Sequence, residues 1–335
     1  MRRSIVALLL AGLMAAGLAA WAAAAEKAAT AKPDAKPPVP KVVEEPDDGI
    51  HGLYAGAAGA AKAEAWVIAQ AGGAYKVVLL ADGKKKAELA GKLEGKKVAL
   101  AGGGGEKGAI ENKKLTAEAA GLKFDLAYTT PKSPTDGAKP PPGAVVLLPF
   151  EEGKAPSLDE WTNTAWQTST DGSMTVAKGD NFTQRHFGDF KLHLEFRIPF
   201  EPSGKGQGRG NSGVYIFNLY EIQILDSFGR PPAASECAAV YTQTPPKVNA
   251  CFPPGLWQTY DITFRAARFD ADGKKTTDAV VTVVQNGVTV QDQTVVKGPT
   301  GAARSKPEVK AGQIKLQDHQ HPVKFRNIWI QKLRD

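Results

Sequence analysis

Four short runs in the C-terminal half of the chain place ionisable and amide side chains at roughly every second residue. They are Lys191–Ile198 (KLHLEFRI), Asn211–Phe217 (NSGVYIF), Tyr220–Asp226 (YEIQILD) and Ile314–His319 (IKLQDH). A strand sends successive side chains to opposite faces, so each run has one apolar and one polar face. The polar positions read His193, Glu195 and Arg197; Tyr215; Glu221 and Gln223; Gln317 and His319. Carboxylates and imidazoles can move protons, while amides, phenols and guanidinium groups can hold hydroxyls and oxyanions. A washed sheet face would carry Thr, Ser and Lys, so these positions read as the lining of a polar cleft. Asp226 and Asp318 have the opposite parity to Glu221 and His319. They are expected to cap turns or orient neighbours, unless a bulge turns Asp226 inward.

The elements that must position this set are strands. Candidates recur from Ala144 to the C-terminus, including Ala144–Pro149, Gly213–Asn218, Ala238–Thr242, Trp257–Phe264, Ala279–Gln285, Val288–Val296 and Val323–Leu333. Asn286-Gly287 between two β-branched runs is a two-residue hairpin signal. Long amphipathic helical patterns are absent. About 190 residues of short strands with turn-rich joints predict an all-β domain, a β-sandwich or jelly roll spanning 144–335.

The chain of 335 residues has room for more than this domain. Arg2 and Arg3, the apolar stretch Ile5–Ala20 and the small residues Ala22–Ala25 form a leader pattern, so 1–25 is expected to be a cleaved signal peptide and the protein secreted or periplasmic. Residues 26–49, with prolines at 33, 37, 38, 40 and 46, read as a disordered linker. Residues 50–130 read as a small β domain without catalytic residues, punctuated by Gly72-Gly73, Asp82-Gly83 and Gly102–Gly105. Residues 131–143, with Pro131, Pro134 and Pro140–Pro142, read as an extended, semi-rigid linker. The formal charge is +7, but Lys and Arg are scattered, which argues against nucleic-acid partners. The two cysteines, Cys237 and Cys251, are expected to pair in an oxidising compartment, a link worth about 3 kcal/mol. The alternatives are two buried free thiols or, last, a catalytic thiol.

The C-terminal domain resembles the 3-keto-disaccharide hydrolase domain family, also described as 3-keto-glucoside lyase and 3-keto-2-hydroxyglucal hydratase. The resemblance rests on Gly210–Tyr215 (GNSGVY), Tyr220–Ser227 (YEIQILDS), Pro253–Ile262 (PPGLWQTYDI), Ile314–His319 (IKLQDH) and Val323–Ile330 (VKFRNIWI), in that order. It implies a concanavalin-like sandwich acting on a glycoside or oligosaccharide. It also implies a reaction: a 3-keto group acidifies the hydrogen at C2, a base removes it, the glycosidic oxygen leaves C1, and water adds to the enone. Such chemistry needs a base, an acid for the leaving oxygen and a group to hold the enolate. Glu221 or Glu195 could be the base, His319 an acid or base, and Arg197 the enolate clamp. Asn211, Tyr215, Gln223 and Gln317 could hold sugar hydroxyls, with Asp226, Asp318 and Arg209 as further substrate contacts. The ketone would come from a separate sugar 3-dehydrogenase, since the chain carries no dinucleotide fingerprint.

Other readings of the same residues stay open. Glu195 and Arg197 could form a structural ion pair. A carbohydrate-binding sandwich without catalysis would need exposed aromatics, and Trp161 and Trp166 are the candidates, with burial as the alternative. A retaining glycosidase would need two carboxylates about 5 Å apart, and no E-x-D-x-x-E strand is present. A catalytic reading requires Glu221 to be buried with a raised pKa. No cofactor is required, but His319 and His321 could take a divalent metal if a third ligand lay near. His51 and His186 have no evident partners in the sequence.

Overall fold

The computed structural model describes residues 47–333; the expected leader and all but the last three residues of the 26–49 segment lie outside them. The architecture is all-β. Eight antiparallel strands, Gly52–Ala58, Ala61–Gln70, Ala74–Ala81, Lys84–Glu94, Lys97–Gly102, Lys107–Glu111, Lys114–Ala119 and Leu122–Thr129, follow one another and close on themselves, the last pairing with the first. Strict alternation drives this, as in Lys114–Ala119 (KLTAEA), where every second side chain is buried. Small residues such as Ala65, Ala69, Ala117 and Ala119 share the interior with Val67, Leu79, Leu89 and Phe124, so the barrel is filled rather than hollow. The small β domain expected at 50–130 is therefore a closed barrel, and Lys84–Glu94 and Lys107–Glu111 are strands that sequence reading left between turns.

The rest of the fold is built on two sheets. A large antiparallel sheet runs Gln167–Thr168, Ser173–Thr175, Lys324–Lys332, Phe190–Arg197, Trp257–Arg265, Ala279–Gln285, Val288–Val296, with Val145–Leu148 also paired to Lys324–Lys332. Asn286 and Gly287, both with positive φ, make the expected hairpin turn. A smaller sheet runs Asn181–Phe182, Ile314–Leu316, Ser212–Ile216, Tyr220–Ile224. Leu192, Leu194 and Phe196 from the large sheet and Val214, Ile216, Ile222, Ile224 and Leu316 from the small one belong to one buried core. Burying one such aliphatic or aromatic side chain is worth roughly 1.5–3 kcal/mol, so this shared layer dominates the stability of the two sheets.

Segment 131–143 is not a spacer. It turns across the outer face of the large sheet and is bonded to it between Ser133 and Ala138. Ser133 Oγ meets Thr259 Oγ1 at 2.6 Å, and Thr135 Oγ1 donates to Asp261 Oδ2 at 2.7 Å. The Gly137 N–H donates to Glu195 Oε1 at 2.6 Å, and Ala138 O accepts from Asn327 Nδ2 at 3.0 Å and Trp329 Nε1 at 3.2 Å. The barrel also joins the sheets. Phe200 enters the barrel core and stacks on His51 at 4.0 Å, and Phe228 packs on Ile68, Val78 and Leu80. His51 therefore has partners after all: Asp48 Oδ1 at 3.0 Å from Nδ1 and Pro254 O at 3.1 Å from Nε2.

Candidate active site

The outer face of the small sheet carries the cleft. Its alternation sends Val214, Ile216, Ile222, Ile224 and Leu316 to the core and Tyr215, Glu221, Gln223 and Lys315 to the other side. Register then aligns them in rows. Tyr215 sits between Lys315 and Glu221 on the flanking strands, and Gly213 lies opposite Gln223. Segment Ala238–Tyr241 runs beside the Tyr220–Ile224 strand, with Tyr241 N donating to Glu221 O at 3.0 Å, and raises the wall that holds Tyr241 and Thr242. The resulting cavity of about 400 Å³ is lined by Gln207, Asn211, Tyr215, Glu221, Gln223, Tyr241, Thr242, Gly301, Arg304, Gln317 and His319.

Glu221 is 2% exposed. Burial pushes its carboxyl up to about 7, and the nearby Asp180 charge adds to this; a hydrogen bond from Tyr215 and the Lys315 ammonium oppose it. Its Oε2 has no hydrogen-bond partner. The Lys315 ammonium lies 3.7 Å over the Tyr215 ring and 2.9 Å from Asp180 Oδ2, which fixes both the ring and the local charge.

The amides of the cleft are oriented by a chain of bonds. Gln207 Nε2 donates to Ser235 O at 2.9 Å, so Gln207 Oε1 faces the cleft amides and accepts from Gln223 Nε2 and Asn211 Nδ2, each at 3.1 Å. Gln317 Nε2 donates to Tyr215 Oη at 3.2 Å. With every amide nitrogen committed, Gln223 Oε1, Asn211 Oδ1 and Gln317 Oε1 are left as buried acceptors without donors. Together with Glu221 Oε2 they form a group of buried acceptors whose unmet need for donors the hydroxyl groups of a ligand could meet.

The remaining sequence candidates lie elsewhere. Glu195 is fully buried on the outer face of the large sheet, bonded to Arg326 Nε at 2.6 Å, Asn327 Nδ2 at 2.7 Å and the Gly137 N–H. Burial raises its carboxyl, but hydrogen bonds from His193 and Asn327 and the Arg326 charge outweigh this and hold it at about 2. Arg197 is on the same strand, paired in register with Trp257 and Lys324. Segment 131–143 covers Glu195, and neither residue lines the cleft of the small sheet, which corrects the reading of both as cleft groups. Asp226 is 3% exposed and salt-bridged to Arg209 Nε, so this pair does not line the cleft. Asp318 is tied to backbone, its Oδ2 accepting from Gly179 N at 2.8 Å and Oδ1 from Gln320 N at 2.7 Å.

Cys237 and Cys251 differ from the expected pairing: both are buried free thiols. Cys237 Sγ lies 3.1 Å from Tyr260 Oη, and Cys251 Sγ is directed to backbone carbonyls of Leu225 and Phe252. Trp161 and Trp166 are buried, with their indole N–H groups on Leu147 O and Gly179 O, so neither is a sugar platform. Among the described residues, the three-ligand cluster suited to a metal is Asp47, Asp48 and His51, and it does not include His319 or His321. Sequence reading missed Gln207, Tyr241, Thr242 and Arg304. Gln207 and Arg304 come from loops with no strand pattern, where the one signal was the Gly-rich stretch 204–213 around Gln207, while Tyr241 and Thr242 end the expected strand Ala238–Thr242, whose place beside Tyr220–Ile224 the sequence does not give.

Residues 144–331 match the family described as the 3-keto-alpha-glucoside-1,2-lyase-like domain. A crystal structure from Parabacteroides distasonis, provisionally named a glycosyl hydrolase, is 38% identical over 57% of this chain and 84% of its own, with a TM-score of 0.51. Two more structures from that organism, with the same provisional name, are 18% and 21% identical. They cover 54% and 57% of this chain and 92% and 99% of their own, with TM-scores of 0.41 and 0.40. No curated protein matches the chain.

Proposed function

The chain belongs to the 3-keto-alpha-glucoside-1,2-lyase-like domain family, and on that premise we propose that it cleaves 3-keto-glycosides by β-elimination followed by hydration. The observation that carries the reading is the Glu221 carboxylate: buried, with one oxygen unpartnered and a pKa near neutrality, in a cleft where three amide oxygens also lack donors. A base with a pKa near the working pH combines a useful ionised fraction with real basicity.

In this scheme Glu221 Oε2 takes the proton from C2 of the keto-sugar, and the electrons pass through C2 and C3 to the ketone oxygen. Arg304, whose Nη2 is 3.0 Å from Thr242 Oγ1 at the cleft wall, supplies positive charge for that oxygen. The C1–O bond then breaks and His319 protonates the leaving oxygen. Water adds to C1 of the enone as C2 regains a proton, so the sum is hydrolysis. Gln223, Asn211 and Gln317 accept from the sugar hydroxyls. Glu221 is the one carboxylate among the described residues lining the cleft, whereas a retaining glycosidase needs two about 5 Å apart. The rest of the proposal follows from the same chemistry: a concanavalin-like sandwich, supported by two sheets sharing one core; a leader that exports the protein; and a separate dehydrogenase that supplies the ketone.

The test is incubation of the purified protein with a 3-keto-disaccharide and with its unoxidised parent, with and without divalent cations. Release of the reducing half from the keto-sugar alone is expected. Cleavage of the parent alone, or of neither, rejects the reading.

A further inference from the structure

The segment Gln317–Pro322 separates two cavities. Gln317 and His319 line the cleft described above, while Asp318, Gln320, His321 and Pro322, with Val176, Ala177 and Lys178, line a second cavity of about 430 Å³. The His319 and His321 rings lie nearly parallel, 15° apart, with centroids 5.8 Å from each other. The second cavity is thus one side chain away from the group placed at the leaving oxygen.

Its polar floor is unusual. His321 is 1% exposed, and its Nδ1 lies 2.6 Å from Glu201 Oε2. Glu201 is itself 3% exposed and held by the Gly210 N–H at 2.7 Å. In the neutral ring the proton sits on Nδ1, facing the carboxylate, and Nε2 carries a lone pair. That Nε2 has no hydrogen-bond partner, although it is buried. A buried polar atom left unpaired is costly, and a ligand hydroxyl would recover that cost. The other charged group with an oxygen in the cavity wall, Asp318, is already committed to backbone N–H groups. Val176, Ala177 and Pro322 supply an apolar wall.

We propose that this second cavity seats the alcohol half of the glycoside, and that its preferred occupant is an uncharged alcohol with an apolar body and a hydroxyl that donates to His321 Nε2. This rests on the reading of the first cleft as the sugar site. Glu201 is a positioning residue, since it acts by fixing the tautomer and orientation of His321.

The first arm of the experiment separates this proposal from the reaction itself by using no keto-sugar. Free phenol is titrated into the full chain while the imidazole resonances of His321, assigned by their loss in His321→Gln, are followed by NMR. A saturable shift with phenol and none with glucose is expected. Ala177→Phe, on a half-buried wall position, fills the cavity and is expected to abolish the shift while leaving the His321 resonance in place. Loss of discrimination between phenyl and methyl aglycones, about tenfold in KM, is expected for the same variant on 3-keto-glycosides. A His321 signal unmoved by phenol, or moved equally in Ala177→Phe, overturns the proposal even if keto-glycosides are cleaved.

Discussion

Gly213 lies directly beneath Glu221: a Cβ placed on Gly213 would stand 2.6 Å from Glu221 Oε1 and 3.0 Å from Tyr215 Cε2. The carboxylate and the phenol fold across the bare backbone of the neighbouring strand. A side chain there would fill the space that lets them meet.

Gly213→Ala should therefore displace the base without unfolding the sheet. The expected result is a fall of about 10²-fold in kcat on a 3-keto-glycoside, with a circular dichroism spectrum like that of the parent. Unchanged kcat would remove the close approach from the mechanism.

Glu221→Gln removes the proton acceptor while keeping the shape of the side chain. Loss of a positioned base costs about 10²–10⁴ in rate. In the parent, kcat/KM is expected to rise with pH through about 7, where Glu221 ionises. A flat profile from pH 5 to 9 would point to another base.

The same carboxyl should carry a stability cost. Its folded pKa is raised above the unfolded value, so its contribution is fully favourable below the unfolded pKa near 4.5 and is lost as pH rises through about 7. At pH 8 the ionised group is destabilising by ~3 kcal/mol. Glu221→Gln is expected to be more stable than the parent at pH 8, with the difference shrinking toward pH 5. Equal denaturant midpoints at both pH values would refute this.

Glu195 should behave in the opposite way. It is held at about 2 by His193, Asn327 and Arg326 against the cost of burial, so its contribution is present above the unfolded pKa and is lost as pH falls through about 2. Glu195→Gln leaves Arg326 facing Asp136 alone and should lose about 3 kcal/mol of stability, with kcat on a 3-keto-glycoside little changed. A catalytic defect at unchanged stability would restore Glu195 to the reacting groups.

The contrast between these two glutamates shows what the sequence makes legible. Both alternate with apolar residues, so both are marked as polar-face positions, and parity correctly sets Tyr215, Glu221 and Gln223 opposite to Val214, Ile222 and Ile224. Alternation does not say what lies over the polar face. For Glu221 it is the walled cleft; for Glu195 it is segment 131–143, whose prolines suggest an exposed spacer while Ser133, Thr135 and Gly137 bind the sheet. Closure of the barrel was hidden for a related reason. Its interior is rich in alanine, and Ala/Gly/Lys runs such as Lys84–Glu94 carry little hydrophobic contrast. Arg304 was illegible because only the tertiary path of its loop brings it to the cleft, and Tyr241 because the expected strand Ala238–Thr242 does not say which strand it lies beside.

The strap across the large sheet has a consequence for how the molecule can be divided. The family match starts at residue 144, just after the strap, and would invite a truncated protein beginning there. Such a cut would strip the Gly137 N–H from Glu195, Asp136 from Arg326 and Ala138 O from Asn327 and Trp329 at once. The homologous boundary thus cuts through a bonded unit: a piece that keeps these contacts begins upstream of Ser133.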